Sequence, residues 1–325
     1  MKTLNLVYPE KSDIKYIIQK FPDGQRNIVL NEVRQTHDVS GKYLLKESGQ
    51  KWEHRAAAKR YPWRISSRLN NWQDLELIVA SVASLRGLGV KEIHLYTPYF
   101  MGARSDRKFE DGGNNYLKDV ICPIINSLNF ESVTVLDPHS DVLEACINNF
   151  KKIGISGRNS SLVNWAIRDL YDVSDNTNYP HVLTSPFILI SPDAGAQKKI
   201  HKVAEQIAYI GDIITCSKYR DETGKLSKVN VPINATHLNK DFIIIDDICD
   251  GGATFNNIAY QIKLWDTTNS SKIYLIVTHG IFSKGYGDLS RYFDKVYCTN
   301  SYSNTLKGSF FNYDTTDLVK QLNVF

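Results

Sequence analysis

Short apolar runs of strand length alternate along the chain with stretches in which apolar residues recur every three or four positions. The runs are IHLY at 93–96, VTVL at 133–136, FILI at 187–190, FIII at 242–245 and IYLIV at 273–277, most of them rich in β-branched residues. Helical spacing occupies 75–86, 116–128 and 198–208, and a further helix is expected through 256–264. Near-continuous apolar strands separated by helices predict a mostly parallel sheet covered on both faces, an α/β architecture. The polar stretch DVSDNTNYPH at 172–181 is expected to be a surface loop near a domain junction, which falls between 148 and 165.

Length and charge sharpen this picture. A chain of 325 residues favours two domains, and 42% hydrophobic with 23% charged residues excludes a collagen-like or disordered chain. The 39 Lys+Arg against 35 Asp+Glu leave only +4, too little for a chain-wide nucleic-acid surface, so no nucleic-acid partner is expected. One segment, 41–68, concentrates charge: eight Lys/Arg against two acids, 8 − 2 = +6, which leaves the remainder at about −2. Trp52, Tyr61 and Trp63 are interleaved with those bases. The segment reads either as a solvated basic excursion or as a local anion site with stacking faces for a nucleotide. Five cysteines form no CxxC and read as reduced thiols. No apolar run approaches the roughly 18 residues of a membrane span. The start MKTLNLVYPEKSD reaches Pro9 and charges before a signal core forms, so neither membrane insertion nor secretion is expected, and a cytoplasmic location is.

The strongest chemical signal is FIIIDDICDGGATF at 242–255. An apolar strand runs into Asp246 and Asp247, and Asp250, Gly251, Gly252, Ala253 and Thr254 open a helix. Glycines allow a tight turn whose amides converge at the helix N-terminus, an anion cradle to which Thr254 adds a hydroxyl. The carboxylates ahead of it can accept hydrogen bonds from a diol or hold a cation. No GxxxxGK[ST] occurs, and no GxGxxG follows a strand, so nucleotide chemistry here needs another scaffold.

This loop resembles the 5-phosphoribosyl-1-pyrophosphate (PRPP) motif of type I phosphoribosyltransferases, and five further blocks narrow the resemblance to ribose-phosphate pyrophosphokinases (PRPP synthetases). FPDGQ at 21–25 with NEVR at 31–34, PYFMGARSDRK at 98–108, LDPHSDV at 136–142, SPDAGAQKK at 191–199 and THGIFS at 278–283 follow that family's order. DGGNNYLKDVICPIIN and NSYSN resemble a divergent branch found in phage genomes beside nicotinamide-salvage genes. The resemblance implies two tandem type I phosphoribosyltransferase-like domains, 1–155 on the ATP side with a basic insertion at 41–68, and 156–325 carrying the loop, with the last residues packing on the first domain. It implies transfer of the β,γ-pyrophosphoryl group of ATP, with Mg²⁺, to the 1-hydroxyl of a 5-phosphorylated ribose, releasing AMP.

Residue by residue, it places Phe21, Asp23 and Gln25 at the adenine side of ATP, and Arg104, Ser105, Asp106 and His139 on ATP. Asp246 and Asp247 would hold the ribose hydroxyls, and Asp250, Gly251, Gly252, Ala253 and Thr254 the 5-phosphate. His139 and Asp193 would be metal ligands, and Lys218 and Arg220 would join His139 as catalytic groups, on a flexible loop. Relatives usually share sites across subunits, so a homo-oligomer, dimer or hexamer, is expected, in the host cytoplasm for a phage-encoded chain. Gln25, Ser105, Ala196, Gly251 and Ala253 depart from the family pattern. DGGAT loses a hydroxyl and gains a methyl, which weakens it for a compact dianion and favours ADP-ribose over ribose 5-phosphate as acceptor, with ADP-ribose 1-pyrophosphate as product in NAD salvage. The alternatives are an ordinary PRPP synthetase using ribose 5-phosphate and a non-catalytic regulatory subunit.

Overall fold

The apolar runs become parallel strands in a computed structural model that describes residues 1–31, 58–154, 162–171, 187–220, 226–304 and 318–325. Residues 32–34 of the NEVR block, 41–57 of the basic segment with Trp52, and the 172–181 stretch lie outside the described residues. The chain divides into two units, Met1–Ile153 with Phe325 and Gly154–Val324.

The first unit contains β1 (Lys2–Asn5), β2 (Lys15–Lys20), β3 (Arg26–Asn31), β4 (Trp63–Ser66), α1 (Trp72–Gly87), β5 (Ile93–Tyr96), α2 (Cys122–Ser127), β6 (Ser132–Leu136), α3 (Asp141–Cys146) and β7 (Phe150–Ile153). Strands β1-β4-β5-β6-β7 form one sheet, parallel throughout. The helix α1 starts at Trp72, three residues before the expected 75–86, because Asn71 caps it, its side chain accepting from the Asp74 amide at 3.0 Å. Its buried stripe, Leu75, Ile78, Val82 and Leu85, packs into the core with Leu4, Ile65, Ile93 and Leu95. The antiparallel pair β2–β3 is tied to α1 by Arg26, whose Nε meets Glu76 Oε2 at 2.9 Å, and by Ser84 Oγ, which donates to the Ile28 carbonyl at 3.1 Å.

The basic segment reads differently once folded. Its end is strand β4 inside the sheet, so 63–66 is not part of an insertion. Trp63 is only 3% exposed and donates Nε1–H to the Ala58 carbonyl at 3.0 Å, so it is a core residue rather than a stacking face. A strand position between two neighbours buries one face of the chain, and the aromatic ring falls on that face.

The second unit contains α4 (Leu162–Tyr171), β8 (Phe187–Ser191), α5 (Gln197–Gln206), β9 (Ile213–Thr215), β10 (Ser217–Arg220), β11 (Leu226–Asn230), β12 (Asp241–Cys249), α6 (Ala253–Trp265), β13 (Ile273–Gly280), β14 (Lys295–Thr299) and β15 (Val319–Leu322). The order β15-β14-β13-β12-β8-β9 is again parallel throughout, while β10–β11 is a separate antiparallel pair. Alternation sends Ile188, Phe242 and Ile244 to one face with Ile258 and Ile262 of α6, and Leu189, Ile243 and Ile245 to the other with Val163, Ile167, Ile200 and Val203. This two-faced burial is why the strands read as unbroken apolar runs. Asp169 on α4 ties the edge of this sheet together, accepting from Tyr297 Oη at 2.6 Å and Lys320 Nζ at 2.5 Å. No helix among the described residues is long and apolar enough to cross a membrane.

Candidate active site

Ligand-binding residues of parallel α/β sheets gather beyond the carboxyl ends of the strands, and the blocks around 104–106, 139, 193, 246–254 and 279–283 fall at those ends. In the second unit β12 ends in Asp246, Asp247 and Cys249, then turns through Gly252, with φ of 75°, into α6. That conformation favours glycine. The N-cap of α6 is Gly252, which has no side chain to accept from the first amides of the helix.

The two carboxylates differ in surroundings. Asp247 is 5% exposed, and one of its oxygens lies 3.9 Å from Lys199 Nζ on α5. Asp246 accepts from the Asp247 amide at 2.9 Å. Burial, then the neighbouring Asp247 charge, pushes the Asp246 carboxyl well above the ordinary carboxylate range. Burial likewise pushes the Cys249 thiol, just below the loop, up to about 12, which makes it inert as a nucleophile at neutral pH.

The loop after β13 packs beside this turn. Register pairs Ile248 with His279 and Cys249 with Gly280. His279 is 2% exposed, with Nδ1 2.8 Å from Ser301 Oγ. A Cβ at Gly280 would overlap the Phe282 ring. Gly280→Ala is therefore expected to displace that ring and destabilise the protein by about 1–3 kcal/mol. Thermal unfolding indistinguishable from wild type would show that the Phe282 ring is free to move.

The SPDAGAQKK block leaves β8 into α5 and presents Asp193. Its Oδ2 accepts from Lys218 Nζ at 2.6 Å, and its Oδ1 from the Ala196 amide at 3.0 Å. Burial raises the Asp193 carboxyl, but Lys218 and the Ala196 and Gly195 amides outweigh burial and hold it below the usual range. Lys218 stands on β10, which pairs antiparallel with β11. Arg220 is the last residue of β10, and 221–225 lie outside the described residues. The fold thus joins two residues, Asp193 and Lys218, that the sequence presents in separate blocks.

In the first unit Arg104, Ser105 and Asp106 follow β5, and His139 follows the adjacent β6. Arg104 and His139 are exposed. A π-helical turn at Tyr116–Ile121 holds the first loop: the Leu117 amide donates to the Ser105 carbonyl at 3.1 Å, and Asn115 Nδ2 to the Asp106 carbonyl at 2.6 Å. Phe21, Asp23 and Gln25 form the tip of the β2–β3 hairpin, where Asp23 Oδ1 accepts from the Gln25 amide at 3.2 Å. Among the described residues no hydrogen bond or ion pair joins them to Arg104 or His139. No group of three His, Cys, Asp or Glu able to hold a metal occurs among the described residues either. Mg²⁺ commonly takes one or two protein carboxylates and completes its shell with water and substrate phosphates, so the ionised Asp193 fits that ion without such a group.

Sequence reading left Lys199 and Lys284 without roles. A signal existed for Lys199, which belongs to the Lys198-Lys199 pair opening the helix after Asp193. Lys284 carries no such signal, because only the packing of two loops brings it to the turn at 250–254.

No family model matches the chain. It is 28% identical over 239 residues to a ribose-phosphate pyrophosphokinase of Mycoplasmopsis pulmonis, covering 72% of this chain and 66% of that one. To the ribose-phosphate pyrophosphokinase of Saccharolobus solfataricus it is 26% identical over 200 residues, 61% of this chain and 62% of that one. The matches thus span a little under two thirds of these relatives' own length. The phosphoribosylpyrophosphate synthetase structure from Mycobacterium smegmatis superposes with a TM-score of 0.68 at 14% identity, covering 97% of this chain and 88% of that one. The chain is accordingly similar in sequence to ribose-phosphate pyrophosphokinases and has the two-domain type I phosphoribosyltransferase fold of a phosphoribosylpyrophosphate synthetase.

Proposed function

We propose that the protein transfers the β,γ-pyrophosphoryl group of ATP to the 1-hydroxyl of a ribose carrying a 5-phosphate, with ADP-ribose as the acceptor. The observation that carries the reaction type is the turn at 250–254: a helix N-terminus with glycine at its cap, following directly on two carboxylates, in a chain similar to named pyrophosphokinases. The acceptor oxygen bonds to the β-phosphorus, the bond from that phosphorus to the α-phosphate oxygen breaks, and AMP leaves. Asp246 and Asp247 accept hydrogen bonds from the ribose hydroxyls, and the amides of 250–254 with Thr254 receive the 5-phosphate. Lys218 and Arg220 stabilise the charge that develops on the transferred group. Phe21, Asp23, Gln25, Arg104, Ser105, Asp106 and His139 belong to ATP in this reading. Asp193 and His139 would hold Mg²⁺, which when bound neutralises part of the triphosphate charge.

Support for ADP-ribose lies in the loop, which offers one side-chain hydroxyl, Thr254, and is thereby less suited to a compact dianion than to a diester. The product would be ADP-ribose 1-pyrophosphate, in keeping with NAD salvage in a phage-type branch. Ribose 5-phosphate is the second reading, and the names of the relatives favour it. Self-association belongs to the proposal as well. Ile17, Ile18 and Phe21 are 57%, 40% and 47% exposed on one hairpin, apolar surface that a second copy would cover. The test follows AMP with ATP and Mg²⁺ for both acceptors. ADP-ribose is expected to have the higher kcat/KM. A value for ribose 5-phosphate tenfold above it, about 1.4 kcal/mol, would leave an ordinary PRPP synthetase, and no AMP with either would leave a regulatory subunit.

A further inference from the structure

Two hydrogen bonds clamp the loop after β13 onto the phosphate turn. The Cys249 carbonyl, immediately before Asp250, accepts from the Ile281 amide at 2.9 Å and from the Phe282 amide at 3.1 Å. The chain then closes a tight turn, with the Gly285 amide donating to the Phe282 carbonyl at 2.8 Å and φ of 70° at Gly285. This places Lys284 over Gly251. A Cβ built on Gly251 would meet Lys284 Cδ at 3.3 Å, Cε at 3.4 Å and Cγ at 3.6 Å. The lysine stem therefore lies along the space that a side chain at 251 would need, and its ammonium is one bond beyond Cε. Lys284 is exposed and makes no hydrogen bond or ion pair with any described residue, so none of the described residues neutralises its charge at the turn.

A cation held beside the first amides of a helix has one obvious chemical use. We infer that Lys284 is an acceptor-binding residue that takes the 5-phosphate, supplying by charge what the turn lacks in hydroxyls at Gly251. This inference rests on the proposed reading of the turn at 250–254. An ammonium on a flexible stem serves a terminal phosphate and a diester phosphate alike, so it acts on ribose 5-phosphate and ADP-ribose both. Because the 5-phosphate is remote from the bond that forms, Lys284 acts in the ground state and the transition state equally.

The test compares Lys284→Met, which keeps the apolar stem, and Lys284→Arg, which keeps the charge. Lys284→Met is expected to raise KM for the acceptor about tenfold, while kcat and KM for ATP stay within twofold, and Lys284→Arg is expected to restore most of the loss. Acceptor KM should also rise less steeply with salt in Lys284→Met than in wild type. An acceptor KM for Lys284→Met within twofold of wild type overturns the inference. Calorimetric titration of ribose 5-phosphate and of ADP-ribose into the same proteins separates this outcome from failure of the reaction itself. Wild type that forms no AMP but binds an acceptor more tightly than Lys284→Met loses the proposed reaction and keeps Lys284 as a phosphate ligand. Wild type that binds neither overturns both.

Discussion

Replacing Lys218 by alanine is expected to cut kcat by roughly 10²–10³ while leaving KM for ATP nearly unchanged. The loss corresponds to removing one preorganised cation aimed at charge that develops only in the transition state, about 2.7–4 kcal/mol. In the resting fold that ammonium is held 2.6 Å from Asp193 Oδ2, with the lysine side chain 17% exposed. The pair gives the lysine a defined position, and it also means that Lys218→Ala strips a partly buried carboxylate of its partner. A double-mutant cycle with Asp193→Asn separates the two effects. If Lys218 acts on the transferred group, its removal still lowers kcat in the Asp193→Asn background. Were the whole effect of Lys218 to vanish in that background, the lysine would be only a structural partner of Asp193. A raised KM for ATP with kcat unchanged would make it an ordinary ground-state ligand.

Asp246→Asn is expected to stabilise the protein and impair it in the same stroke. Its folded-state carboxyl titrates well above the ordinary carboxylate range, because desolvation and the neighbouring Asp247 charge disfavour its ionised form. The folded state therefore keeps a proton that the unfolded chain has released, and stability falls as pH rises from that ordinary range through the raised one. Asparagine has no proton to lose there. The variant should melt with wild type near pH 4 and above it at pH 8, by roughly 2–4 °C for each kcal/mol relieved in a unit of this size. Its kcat/KM for the acceptor should fall roughly tenfold to hundredfold, the range for losing a hydrogen bond to a carboxylate that ionises as the ribose hydroxyls bind. This trade of stability for function is what a site holding two adjacent carboxylates implies. A melting difference that shrinks between pH 4 and pH 8 would contradict the assigned cause, and an unchanged kcat/KM would remove Asp246 from the acceptor site.

The chain by itself determined what depends on neighbours in sequence. Phe242–Cys249 reads as a strand because β-branched residues fill successive positions, and its exit is legible because a carboxylate pair and two glycines follow directly. The same holds for α1, whose stripe of leucines, isoleucine and valine has helical spacing and whose start carries an asparagine cap. Strands such as β7 (FKKI) and β15 (VKQL) escape that reading, since at the edge of a sheet polar residues replace the apolar alternation. Trp63 looked like a stacking face among bases because sequence does not show which side of a short strand is covered. Only the tertiary structure decided the meetings of distant residues: Lys218 with Asp193, 25 positions apart, Lys199 with Asp247, and Lys284 over Gly251. Each depends on segments at or beyond the same end of neighbouring parallel strands. That juxtaposition follows from strand order and register, quantities that hydrogen bonding and core packing settle across the whole sheet and that no local pattern encodes.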